Sequence, residues 1–207
     1  MWPDEDETLA LLRGAQRGDS AAVEGLLERH RDSLHRMIEC RLHAGVARRI
    51  GASDIVQETL LTASRRLAEY LQNPSMPFHA WLRQLARDRL ADVYRRQLAE
   101  KRDVSRERAL DAGRESSYGA AAELRDDQLT PAAMMLRQEL AARFRQAVAQ
   151  LEETSREIIL MRHAEQLTNS QAAEVLGLSE PAASMRYLRA LRQLRAILGE
   201  SAAHWLG

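Results

Sequence analysis

Residues Asn169 to Arg195 read NSQAAEVLGLSEPAASMRYLRALRQLR, two amphipathic helical patterns with only Gly177, Leu178 and Ser179 between them. Gly177 suits the left-handed position that ends a helix, where a side chain is disfavoured. Ser179 can cap the next helix, and Pro181 falls in that helix's first turn, where a missing N–H does little harm. So short a link forces the two helices into a sharply angled pair, a helix-turn-helix layout. On a helical wheel Ala183, Tyr187, Ala190, Leu191, Leu194 and Leu198 share one side and are expected to be core. Ala182, Met185, Arg189 and Arg192 point away, with Ser184 and Arg186 on the flanks. Small residues at the start allow close approach to a duplex, and the arginines can reach phosphates or guanine edges.

The rest of the chain is also helical in pattern. Apolar residues make up 45% of the 207, which permits a core, while aromatics make up only 4%. Ala, Leu, Arg, Glu and Gln dominate, all good helix formers apart from tertiary context. No run of alternating β-branched residues suggests a strand, so the fold class is all-α. A first stripe runs through Leu9, Leu12 and Ala15. Asp19 or Ser20 can cap a second helix carrying Val23, Leu26 and Leu27, and the next helix runs through Leu34, Met37, Ile38 and Leu42. Ser53 is a plausible cap for a further helix beginning DIVQETLL, which ends where Asn73, Pro74 and Pro77 force a loop. A strong helix then covers Phe78 to Lys101. Periodicity fades between Asp103 and Thr130 and returns at Pro131. The expected organisation is a helical domain over 1–102, a flexible linker over 103–130, and a helix-turn-helix domain over 131–207.

With 30 basic and 30 acidic residues the formal net charge is zero, so any nucleic-acid surface must be a local patch. One such patch follows the loop. From Arg83 to Arg108 there are nine basic and five acidic residues. In FHAWLRQLARDRLADVYRRQ, Leu82, Leu85, Ala86, Leu90 and Val93 form the expected buried arc. Arg83, Gln84, Arg87, Asp88 and Arg95 lie opposite, with Trp81 at the border. Arginines beside an aromatic suit single-stranded DNA, whose bases stack on rings while charge follows the backbone.

Other chemistries find little support. His30, His35, Glu39, Cys40 and His43 invite a metal site, but His30, His35 and Cys40 fall about 140° apart in turn on a helix of ~100° per residue. No Gly-rich phosphate loop or nucleophile elbow is present. No enzyme activity, cofactor or metal is expected. A single cysteine, an acidic N-terminal stretch and the lack of a long apolar run lead to the expectation of a cytoplasmic protein without a membrane span.

Three stretches taken together, ASDIVQETLLTA, FHAWLRQLARDRLADVYRR and SREIILMRHAEQLTNSQAAEVLGLSEPAASMRYLRALRQLR, resemble the successive conserved regions of extracytoplasmic-function sigma factors of the sigma-70 class. The resemblance covers nearly all of the chain outside the expected linker. It implies two helical domains in bacterial transcription initiation. The first binds the β′ clamp helices of core RNA polymerase and melts the −10 promoter element; the second binds the −35 duplex and contacts the β flap. By that resemblance Asp54, Ile55, Val56, Gln57 and Glu58 face the polymerase. Trp81, Arg83, Gln84, Arg87, Asp88, Asp92, Arg95 and Arg96 lie in the strand-opening region. Asn73, Pro74, Ser75 and Met76 match the loop that captures a flipped base. Ser184, Met185, Leu188, Arg189 and Arg192, with Arg186 beside them, match the duplex-reading positions. An anti-sigma factor is a further partner common in the family. The chain departs from the family at Asp88, where asparagine is frequent, and at Pro181 to Ser184, where Gly-Thr-Val and a basic residue are usual. The alternative reading is a stand-alone helix-turn-helix regulator, which would bind duplex DNA without polymerase.

Overall fold

Nine α-helices and one π-helical turn account for the residues described, which in this computed structural model are 2–42, 44–47, 49–105 and 130–205. No strand occurs among them. Helices α1 (Glu5–Gln16), α2 (Ser20–Arg41), the short α3 (Ala44–Ala47), α4 (Ala52–Gln72) and α5 (Phe78–Ser105) form the first module. Helices α6 (Pro131–Gln150), α7 (Glu153–Ile159), the π turn (Leu160–Ala164), α8 (Asn169–Leu176) and α9 (Glu180–Trp205) form the second.

The first module is built from three apolar stripes that meet. Leu26, Leu34, Met37 and Ile38 come from α2; Ile55, Val56, Leu60, Ala63, Leu67 and Tyr70 from α4; Phe78, Leu82, Leu85, Ala86, Leu90 and Val93 from α5. Each set recurs at three- or four-residue spacing, so one face of each helix points inward. Caps fix where the helices begin. Asp19 accepts from the backbone N–H groups of Ala21 and Ala22, as its sequence position suggests. At α4 the cap differs from expectation. Gly51, not Ser53, is the N-cap, and its N–H donates to Asp54 Oδ2 at 3.1 Å. Gly14 sits where α1 meets α2, and a Cβ there would stand 2.6 Å from that of Ala22.

The second module has its own core of Ala147, Val148, Leu151, Ile158, Ile159, Leu160, Ala173, Ala183, Ala190 and Leu194. Thr130 caps α6 by accepting from Ala133 N–H, with Pro131 in the first turn. Arg156 fastens α7 under α6 by donating to the carbonyls of Val148, Ala149 and Leu151, which the helix end leaves open. The two modules touch. Met161, Leu167 and Ala172 of the second lie in the same apolar cluster as the α2, α4 and α5 stripes. The expected linker is outside the described residues from 106 to 129. Its first three positions, Asp103 to Ser105, continue α5 rather than starting a loop, and Thr130 is the α6 cap.

Candidate nucleic-acid and partner interfaces

At the start of α4 the five residues expected on a partner surface divide. Asp54, Gln57 and Glu58 are exposed. Ile55 and Val56 are only 1% and 2% exposed, so they do not face a partner in this structure. The reason is periodicity: Ile55, Val56, Thr59, Leu60 and Ala63 are consecutive turns of the stripe that packs on the first core. The exposed apolar group on this edge is Leu61, 51% accessible, one turn beyond Gln57. Two of the polar residues also serve the helix itself. Asp54 holds the N-cap, and Glu58 forms an ion pair with Arg89 of α5.

Between the end of α4 and the start of α5 lies an open cleft of about 360 Å³. Its floor is aromatic. Trp81 stacks on Tyr70 with ring centroids 4.7 Å apart and planes at 27°. Tyr70 is nearly buried, burial pushes its phenol pKa up, and its hydroxyl donates to the Met76 carbonyl at 2.9 Å. That bond fastens the loop carrying Asn73, Pro74, Ser75 and Met76. The rim is polar: Asn73, Ser75, Gln84 and Asp88, with Arg66 and Glu69 across from them. Gln84 and Asp88 are one turn apart on α5, so both reach the same opening. Arg87, Arg95 and Arg96 are exposed farther along the helix, and Asp92 pairs with Arg95.

Arg83 corrects the expectation. It is 1% exposed and turns away from the cleft toward the second module. Its Nε and Nη2 donate to the Glu165 carboxylate at 2.6 and 3.0 Å, and Nη2 also reaches Glu157 at 2.5 Å. A buried guanidinium needs such partners because desolvation of an unpaired charge is prohibitive. The polar half of the α5 wheel is thus split between solvent and a second buried contact. Helical periodicity gives the angle of a side chain but not what lies opposite it.

The helix-turn-helix is formed as the sequence implies. Gly177 has φ 62° and ψ 36°, and Ser179 Oγ accepts from Ala182 N–H. Thr168 and Gln171 exchange reciprocal caps at the start of α8, and Asn169 Nδ2 donates to the Glu180 carbonyl, tying α8 to α9. On α9, Met185, Leu188, Arg189 and Arg192 are exposed, and Ser184 and Arg186 are half-buried. Two apolar side chains among arginines on an exposed face match thymine methyls beside phosphates or guanines. Behind this face Tyr187 accepts the Arg162 guanidinium over its ring at 5.5 Å and meets His163 Nε2 at 2.8 Å.

The histidines and the cysteine of the first module are spread out. His30 is buried with Nδ1 2.7 Å from the Leu26 carbonyl, His35 faces Glu39, and Cys40 is buried. His43 lies outside the described residues. Among the described residues no three His, Cys, Asp or Glu side chains gather as a metal site, and no helix is long and apolar enough to cross a membrane. The sequence reading missed Tyr70 and Leu61. Tyr70 was signalled by its position one turn before the Asn-Pro loop; Leu61 falls beside the core stripe and carries no signal of its own.

Among the described residues the fold is thus two all-helical modules, the second carrying a helix-turn-helix. Sequence profiles place it further. Residues 26–99 match Sigma-70 region 2, and residues 141–194 match Sigma-70, region 4. The RNA polymerase sigma factor NccH of Alcaligenes xylosoxydans xylosoxydans is 30% identical over 96% of this chain and 97% of its own length. CnrH of Cupriavidus metallidurans is 29% identical over 94% and 95%. BldN of Streptomyces coelicolor, an extracytoplasmic-function sigma factor, is 27% identical over 96% and 69%. The solved structure of CnrH in complex with the cytosolic domain of CnrY shares the fold, with a TM-score of 0.57 over 95% of this chain and 99% of that one at 24% identity. The chain belongs to the extracytoplasmic-function RNA polymerase sigma factors of the sigma-70 class.

Proposed function

We propose that the chain binds core RNA polymerase and selects promoters, with residues 1–102 as the polymerase-binding and strand-opening module and residues 131–207 as the duplex-binding module. It acts as an initiation factor, not an enzyme. The polymerase-facing edge is Asp54, Gln57 and Glu58, with Leu61 supplying the apolar contact first assigned to Ile55 and Val56. This edge meets the clamp helices of β′, and the second module contacts the β flap.

Opening of the −10 element uses the cleft between α4 and α5. A base that leaves the stack lies against Trp81, while Asn73, Ser75, Gln84 and Asp88 offer donors and acceptors to its edge. Stacking on such a ring contributes ~1–3 kcal/mol per base. Arg87, Arg95 and Arg96 follow the strand's phosphates. The −35 duplex is read by Ser184, Met185, Arg186, Leu188, Arg189 and Arg192, which enter the major groove from α9. CnrH was solved with the cytosolic domain of CnrY, and a regulatory protein that sequesters this chain is the corresponding partner.

The observation that carries this reading is the aromatic-floored, polar-rimmed cleft beside exposed arginines, in a chain with a separate helix-turn-helix. The test is transcription by core polymerase and this chain on a genomic promoter library, with start-site mapping. On a promoter so found, Trp81→Ala is expected to form closed complexes yet lose permanganate-reactive thymines. Failure of the chain to associate with core polymerase, together with tight duplex binding alone, would establish the stand-alone regulator instead.

A further inference from the structure

Three acids stand along the α4–α5 cleft and its continuation on α5: Glu69, Asp88 and Asp92. Two of them are taken. Arg66 Nε donates to Glu69 at 3.4 Å, and Asp92 pairs with Arg95. Asp88 is exposed and lines the cleft, and among the described residues nothing donates to its carboxylate or pairs with it. Its own helix cannot neutralise it. The neighbours three and four residues away are Gln84, Leu85, Ala91 and Asp92, none of them basic. The arginines beside it in sequence are engaged elsewhere: Arg87 lies 3.7 Å from Glu157, and Arg89 pairs with Glu58. Trp81, Gln84 and Asp88 recur at spacings of three and four residues, so ring, amide and carboxylate form one stripe along the cleft wall. The Gln84 amide is likewise exposed and without a partner among the described residues.

A free acid on a surface that follows DNA repels the phosphates its arginines attract. It is favourable only where it meets donors. A carboxylate accepts hydrogen bonds and does not donate, and its two oxygens take two parallel bonds from a matching pair of donors. A base outside the stack is read on its Watson–Crick edge. Guanine presents two adjacent donors there, N1–H and the N2 amino group, with the O6 acceptor beside them. Adenine and cytosine present one amino group next to a ring-nitrogen lone pair. Thymine presents one N–H between two carbonyls. Each of these sets a lone pair against a carboxylate oxygen. The wrong base is therefore rejected by repulsion as well as by a missing bond.

We propose that Asp88 makes the cleft selective for guanine: the base stacks on Trp81, gives its N1–H and N2 amino group to the Asp88 carboxylate, and accepts at O6 from the Gln84 amide. Glu69 does not compete, because Arg66 holds it. An asparagine at position 88 would offer one acceptor and one donor, and would no longer match two adjacent donors. The departure at Asp88 thus changes which base fits. The proposal rests on the sigma-factor reading for the origin of the guanine, the opened strand of the −10 element. The recognition chemistry belongs to the cleft alone.

The test uses the full-length chain, alone and reconstituted with core polymerase, with core polymerase by itself as the blank. The probes are short single-stranded oligothymidylates whose central base is guanine, inosine, adenine, cytosine or thymine. Binding is read by competition against a fluorescent strand. Guanine should bind about tenfold tighter than adenine, cytosine or thymine. Inosine lacks only the N2 amino group, so it should also bind about tenfold more weakly than guanine, the loss of one hydrogen bond to a charged acceptor. Asp88→Asn removes a charge and should strengthen binding of every strand, so the deciding quantity is the ratio of guanine to inosine affinity, from which that uniform gain cancels. The ratio should fall to about one in Asp88→Asn. Equal binding of guanine and inosine by the unmodified chain, tighter binding of another base, an unchanged ratio in Asp88→Asn, or no binding of any probe would each overturn the proposal. A chain that binds no core polymerase loses the functional reading, while the series with the chain alone still judges base selectivity. A chain that directs transcription yet shows no guanine preference keeps that reading and loses the proposal.

Discussion

Single residues fix the turn on which the second module's DNA surface depends. Gly177 has φ 62°, and no atom outside its neighbours lies within 4 Å of where a Cβ would be. Space is therefore not the constraint; backbone conformation is. Gly177→Ala should destabilise the chain by ~1 kcal/mol through left-handed strain, read as a lower urea midpoint with an unchanged m-value. Gly14 presents the opposite case, since there the obstacle is the Cβ of Ala22 at 2.6 Å. The α4 start separates two roles that the sequence merges. Asp54 both faces solvent and accepts from Gly51 N–H, so Asp54→Ala should lower stability by ~1 kcal/mol as well as any polymerase affinity. Gln57 has no such duty in the helix cap. Gln57→Ala should leave the urea midpoint in place and weaken core polymerase binding about tenfold, a 1.4 kcal/mol effect. Equal affinity in a titration would remove Gln57 from the interface.

At the scale of elements, periodicity decides what could be read in advance. The stripes of α5 and α9 were legible because 3.6-residue repeats determine which face is apolar, whereas α2, one helix over Ser20–Arg41, was read as two. The α8–turn–α9 unit was legible to the residue, since Gly177 and Ser179 act locally. Ile55 and Val56 were misassigned because a pair of apolar residues at a helix start looks alike whether it faces a partner or a core. Only the continuation through Thr59, Leu60 and Ala63 identifies the core. Arg83 was misassigned because its partners, Glu157 and Glu165, are more than 70 residues away in sequence. The π turn had no local signature at all. In the α4–α5 element, Tyr70 joins floor to loop through one hydrogen bond. Tyr70→Phe keeps the ring against Trp81 and removes the bond to Met76. It should cost at most about 1 kcal/mol of stability, because the freed carbonyl can hydrate. Promoter opening should nevertheless fall severalfold, followed by fluorescence of a base analogue in the −10 element.

For the whole molecule, the joint between modules is where acid acts. His30 and His79 flank Trp2, with ring centroids 6.1 Å from it in each case, and burial lowers both imidazole pKa values to about 4. His79 also lies 3.7 Å from Glu174 of α8, so it belongs to the contact between modules. Both rings are neutral in the folded chain at neutral pH. An unfolded histidine takes up its proton near pH 6.5, so stability falls as pH drops from that value toward about 4. Between pH 7 and pH 5 the loss should be on the order of 2 kcal/mol for each histidine. Glu157 follows a different course. Burial alone would raise its pKa, but the Arg41 and Arg83 guanidiniums prevail and hold it at about 2. Its ionised form therefore stabilises the folded chain above the ordinary carboxylate range, and that contribution disappears only as pH falls below about 4.5 toward 2. The two effects are separable by variant. His30→Gln should reduce the loss of unfolding free energy between pH 7 and 5, whereas Glu157→Gln should leave that interval unchanged and flatten the decline below pH 4.5. Urea titrations across this range measure both. A wild-type chain whose stability is level from pH 7 to 5 would mean that His30 and His79 are already hydrated in solution, and that the packing of Trp2 between them is not the state the free chain occupies.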